Sequence, residues 1–127
     1  MNVFSLLSNK TRKHLRSYKA AFNGLNIAFN HELNFQIELL FMAIVILMGF
    51  VFNVNKSEWI VIILCIGITL SAELMNTSIE VLGELKRFNS VIKKIKDLAA
   101  AAVFVAAVMD VILGCIIFTP YVVELFL

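Results

Sequence analysis

From Leu15 the chain places apolar residues with helical period. Leu15, Tyr18, Phe22, Leu25 and Phe29 recur at spacings of three and four, while Arg16, Lys19, Asn23, Asn26 and Asn30 fill the opposite face. That pattern predicts an amphipathic helix over 15–33, lying in a membrane interface beside the span that follows; a helix packed on a partner protein is the alternative. Residues 1–14 lack the pattern and predict a short, frayed, basic start. Beyond residue 34 the two-faced pattern gives way to runs that are apolar all round. The first covers 35–52, with Glu38 near its start. A polar turn, Asn53 to Glu58, leads to Trp59, an indole of the kind favoured at a membrane edge. A second run starts there and continues over 59–82. A third, 98–119, opens at Asp97 and is expected to end at Pro120. The expected fold is an all-α membrane protein of one domain: an N-terminal amphipathic surface helix and three transmembrane helices.

Composition agrees. Of 127 residues, 61% are hydrophobic and the mean hydropathy is +0.91, more apolar surface than a soluble domain of this size can bury. Cys65 and Cys115 both fall inside apolar runs and read as small hydrophobes rather than a disulfide or a metal pair. No cleavable signal peptide is expected, because basic and polar groups run through the first 34 residues. Net charge is only +2, but its placement is informative. Lys10, Arg12, Lys13, Arg16 and Lys19 precede the first span, and Lys86, Arg87, Lys93, Lys94 and Lys96 lie between the second and third. Lys56 alone is in the other loop. This predicts a cytoplasmic N-terminus and 84–97 loop, with the C-terminus outside.

The second run then turns polar while still inside lipid. Glu73, Asn76, Glu80 and Glu84, spaced 3, 4 and 4, share one helix face. With Trp59 at the outer edge, a rise of about 1.5 Å per residue puts Glu73 about 21 Å down, Asn76 about 26 Å and Glu80 about 32 Å, against a hydrocarbon core of roughly 30 Å. A carboxylate is costly at such depth, so intramembrane acids usually have a task. Glu73, short of water, suits a general base. Glu80, and Glu32 at nearly the same height, meet water and suit a hard divalent ion. Lys96 and the basic loop offer positive charge to phosphate. Blander readings stand beside these: Glu84 as a solvated side chain, the basic loop as a topology signal touching anionic lipid, Asp97 as a helix N-cap, His14 and His31 as surface residues. No phosphate-binding glycine loop, dinucleotide fingerprint, nucleophile elbow or Cys/His cluster is present. Spacing alone leads to a small membrane protein with an acidic site, suited to a metal, at its cytoplasmic face.

Two longer strings carry more. Glu73-x-x-Asn76-Thr-x-Ile-Glu80, followed by Lys96-Asp97-x-Ala-Ala-x-Ala-Val103, resembles the signature of the small prokaryotic diacylglycerol kinase family, which includes undecaprenol kinases. Ser17-Tyr-x-x-Ala-Phe-x-Gly24, Glu32, Asn34-Phe35 and the ending Gly114-x-Ile-Ile-Phe-x-Pro120 also look like that family, the last closer to its undecaprenol type. The resemblance implies a homotrimer in the bacterial inner membrane, with active sites shared between subunits, moving the γ-phosphate of MgATP to a lipid hydroxyl of diacylglycerol or undecaprenol. It implies Glu73 as base, with Asn76 positioning it and both meeting the lipid alcohol. It implies Glu32 and Glu80 holding Mg²⁺ with the ATP phosphates, and Lys96, Asp97 and Lys13 contacting nucleotide. The chain departs from the family pattern at Glu84 in place of Asp, Ala20 in place of a Tyr, Gln36 in place of an Arg, and in a loop about two residues shorter before Lys96. Asp110 stands mid-span where relatives are apolar, at a cost of roughly 2.5–3.5 kcal/mol on insertion scales; a protonated Asp at a helix interface is the plain expectation. The alternative from another class is a non-enzymatic membrane protein, a proton-coupled carrier or accessory subunit using Glu73 and Asp110.

Overall fold

The structure is a computed structural model and describes residues 3–85 and 89–127. Lys86 and Arg87 of the basic loop lie outside the described residues. Four helices follow one another: α1 (Val3–His31), α2 (Leu33–Val51), α3 (Lys56–Glu84) and α4 (Ser90–Phe126). The last three are long and apolar enough to cross a membrane. They are apolar on the outside as well, with Leu47, Ile63 and Val111 exposed, as lipid requires and water forbids.

The helix ends differ from the sequence reading in three places. α1 starts at Val3 rather than Leu15, so the basic start is helical rather than frayed. Lys10, Arg12, Lys13 and Arg16 are strong helix formers and no Gly or Pro interrupts them. α4 starts at Ser90, not Asp97. Its N-cap is Asn89, whose Oδ1 accepts from the Ile92 amide at 2.9 Å. Asp97 is therefore not a cap but an interior residue, ion-paired with Lys93 one turn earlier. At the other end Pro120 lies inside α4 and does not stop it. Proline removes one backbone donor, but Tyr121 beyond it donates to Glu58 Oε2 at 2.6 Å and packs on Phe52, holding the last turns in place.

The α2–α3 hairpin closes one end of the bundle. Asn53 takes a left-handed turn conformation, φ 51°, which Asn tolerates better than most residues. Asn55 and Glu58 then form a reciprocal capping box at the start of α3. Above it Val54, Ile62, Ile117 and Phe118 form a buried cluster. Trp59 stacks beside Phe50 with ring centroids 4.8 Å apart and lies against Gly49. A Cβ on Gly49 would come within 2.7 Å of the indole. Gly49→Ala is therefore expected to cost about 1–3 kcal/mol by overpacking, read as a lower thermal midpoint in detergent; an unchanged midpoint would show that the indole has room to move.

At the opposite end α1 meets α2 almost without a break. Glu32 is the one extended residue between them, and its side chain makes no cap hydrogen bond. Gln36 Nε2 reaches back to the Phe29 carbonyl at 2.8 Å and ties the joint. The apolar face of α1, with Leu15, Tyr18 and Phe22, is uncovered by this chain.

Candidate active site

α3 carries the site. Its buried residues include Thr69, Glu73, Asn76 and Thr77, consecutive on one face, with Glu80 a turn further. Glu73 is 2% exposed, the most deeply buried large side chain among the described residues. A carboxylate there needs partners. Asn34, in the first turn of α2, lies beside it, and Glu32 and Glu80 lie within electrostatic reach.

Asn76 is 5% exposed and donates from Nδ2 to Glu80 Oε1 at 3.3 Å. Its Oδ1 is buried and has no partner. A buried amide oxygen without a donor is uncommon, and here it faces the same row as two carboxylates. α4 lies antiparallel to α3. The stem of Lys96 runs beside Gly83, with Cδ 3.4 Å from where a Cβ there would stand. This places the exposed Lys96 ammonium near the Glu80 end of the row. Among the described residues the one ion pair is Lys93–Asp97, at 2.8 Å. It occupies Asp97 and leaves Lys96 and Lys13 unpaired. Lys13 is exposed on α1, its carbonyl accepting from Ser17. No bond joins it to the α3 row among the described residues.

The structure thus puts Glu73 within electrostatic reach of Glu32 and Glu80, bonds Asn76 to Glu80, and lays the stem of Lys96 against Gly83, three residues further along α3. Two contributors were missed by the sequence reading. Asn34 was noted only as part of a string. Glu38 was noted only by position, yet it lies on the buried face of α2 set by Phe35, Met42 and Gly49, and its Oε2 is buried without a partner. Its place in that 3-4 rhythm was the available signal.

For a divalent cation the oxygen donors are of the right kind. Among the described residues no group of three or more His, Cys, Asp or Glu side chains forms a cage. Two carboxylates and an unpartnered amide oxygen still suit Mg²⁺, which is commonly held by one or two carboxylates plus substrate phosphates.

A small bundle of three membrane-crossing helices, with a buried carboxylate and an acidic row leading to one face, defines a membrane enzyme acting on a substrate at lipid level. The sequence comparisons agree. Residues 19–118 match the family model described as prokaryotic diacylglycerol kinase. The chain is 35% identical over 114 residues to a curated undecaprenol kinase of Bacillus subtilis (strain 168), covering 88% of this chain and 93% of that protein. The chain belongs to the prokaryotic diacylglycerol kinase family and is an ATP-dependent lipid kinase of the membrane.

Proposed function

We propose that this protein phosphorylates a polyprenol, undecaprenol in the first instance, at the cytoplasmic face of the inner membrane, with Glu73 as general base. The observation that carries the reading is the burial of Glu73 on a membrane-crossing helix, within reach of Glu80 and Glu32 and one turn from Asn76. A lipid hydroxyl lies at that depth and an ATP phosphate does not, so the row joins the level of the acceptor to the level of the donor. The curated relative named for undecaprenol supports the polyprenol over diacylglycerol, as does the Gly114–Pro120 ending.

Glu73 takes the proton of the lipid hydroxyl as that oxygen bonds to the γ-phosphorus. The bond from phosphorus to the bridging β,γ-oxygen breaks, and ADP leaves with the electron pair. Asn34 orients Glu73, and Asn76 holds the hydroxyl against it. Glu32 and Glu80 would hold Mg²⁺ with the phosphates, and the ion supplies neutralisation of their charge. Lys96, Asp97 and Lys13 contact the nucleotide, so the Lys93–Asp97 pair opens or shares its carboxylate when ATP binds. An exposed pair of this kind is worth about 0.3–0.5 kcal/mol and is no obstacle. The working assembly is a homotrimer, with each site completed by a neighbour, and α1 lies in the interface with its apolar face in lipid. The carrier alternative has no support in a chain whose family is kinases.

Offered each alcohol in mixed micelles, the purified protein is expected to phosphorylate undecaprenol with kcat/KM above diacylglycerol by about tenfold or more; the opposite ranking would return the acceptor to diacylglycerol. The orientation is tested separately in a background lacking Cys65 and Cys115. Ser57→Cys should label from outside intact cells and Ser90→Cys only after the membrane is opened. The reverse pattern would move the site to the wrong face for ATP.

A further inference from the structure

At its outer end α4 is held on α3 by the Tyr121–Glu58 hydrogen bond, but little on the half of α4 nearer the site decides how far along α3 it sits. Its half beside the site is rich in alanine, Ala99 to Ala102 with Ala106 and Ala107. Small residues let helices approach closely, and apolar side chains exposed to lipid gain no water-driven preference for one register. Nearer the site, and deeper in the apolar zone, a second hydrogen bond crosses between the two helices. Thr69 Oγ1 donates to Asp110 Oδ2 at 2.6 Å, and Thr69 is 3% exposed. Cys65, one turn away on the same stripe of α3, lies within electrostatic reach of the same carboxylate. Both residues and Asp110 line a groove of about 700 Å³ between α2, α3 and α4.

The same two helices also meet closely at the site. Gly83 lies fourteen residues after Thr69 on α3, and Lys96 lies fourteen before Asp110 on α4. Both helices are unbroken across that interval. The two meetings are therefore one register, and moving either moves the other. A slip of one turn would carry Lys96 about 5.4 Å along α3, when displacements near 1 Å already cost about a hundredfold in rate.

We propose that Asp110 is a positioning residue: its hydrogen bond to Thr69, the one of the two inter-helix bonds nearer the site, sets the register of that half of α4 on α3, and through it the place of Lys96 beside Gly83. Thr69 displaced from Asp110 can turn to its own i−4 carbonyl. Asp110 has no such refuge in hydrocarbon, which is why one polar pair can dominate many near-equal apolar contacts. A single buried polar residue setting register is the best attested use of such groups.

The consequence for activity rests on the nucleotide role of Lys96; the register itself does not. The test uses the full chain in nanodiscs, with Cys65→Ser, which keeps a donor toward Asp110, and Cys115→Ala. Gly83→Cys and Ile92→Cys then report register through the rate of intramolecular disulfide formation, since Ile92 Cγ2 stands 3.5 Å from the Cβ position at Gly83. Asp110→Leu and Thr69→Val are expected to slow that cross-link severalfold, and Asp110→Asn, which keeps an acceptor oxygen, is expected to leave it near the parent rate. Without the reporter cysteines, Asp110→Leu should lower kcat and raise the KM for ATP by about tenfold or more, with the KM for lipid unchanged and Asp110→Asn restoring both. Leu is better tolerated than Asp at mid-span, so a folding failure is not expected, and Thr69→Val provides a second route to the same loss. Unchanged cross-linking in both Asp110→Leu and Thr69→Val would overturn the register role whatever the activity. Slowed cross-linking with an unchanged KM for ATP would uphold it and overturn the role of Lys96 instead.

Discussion

Glu73→Gln is expected to bind ATP as the parent does and to turn over lipid roughly 10²–10⁴ times more slowly, the usual contribution of a general base. Binding should survive because the groups proposed for the nucleotide, Glu32, Glu80, Lys96 and Asp97, are untouched. Folding should survive because Gln keeps the shape of the side chain and an oxygen that can accept a hydrogen bond. It also removes a charge buried at 2% exposure, a change that protein interiors usually welcome. Loss of rate without loss of stability is thus the signature of a base. A structural carboxylate behaves differently: its isosteric amide would leave turnover near the parent value. Nucleotide binding and lipid phosphorylation, measured on the same preparation, separate the two outcomes, and parent-like turnover in the variant would discard the base assignment.

Removal of the proposed metal carboxylates should be as severe. Glu80→Gln and Glu32→Gln are each expected to bring Mg²⁺-dependent phosphorylation close to background. Metal neutralisation of transferring phosphate is worth several kcal/mol, and about 4 kcal/mol is about a thousandfold in rate. Neither change should unfold the chain. Glu32 makes no side-chain cap bond to α2. Glu80 accepts only a long hydrogen bond from Asn76, 3.3 Å, which an amide oxygen also accepts. Titrating Mg²⁺ in each variant locates the defect: an activity recovered at high metal concentration marks a ligand, and full activity at ordinary concentration removes that residue from the metal site.

Much of this protein is written in local pattern. Three apolar runs, each bounded by Asn, Trp or basic residues, dictate membrane-crossing helices because no soluble fold hides so much apolar surface. Helical spacing also puts Glu73, Asn76 and Glu80 on one face whatever the rest of the chain does, and two strings over that face and the start of the third span point to a family of lipid kinases.

Other features depended on contacts between residues far apart in sequence. Pro120 reads as a stop, and α4 runs through it because Tyr121 has Glu58 and Phe52 to hold. Asp97 reads as a cap, and Asn89 takes that place because the helix continues upstream past the lipid boundary. Asn34 and Glu38 read as ordinary members of a first turn and a span, and come within reach of Glu73 only when the α2–α3 hairpin lays α2 against α3. Asp110 reads as an isolated cost in lipid until Thr69 is placed opposite it, 41 residues away. Period and composition alone determined that three apolar segments are helices, that they belong in a membrane, and which face of α3 is polar, because these follow from each residue and its near neighbours. Only the tertiary structure decided the register of α4 on α3 and the partners of the buried acids, because apolar helix faces in lipid accept many alignments and a few directional hydrogen bonds select among them.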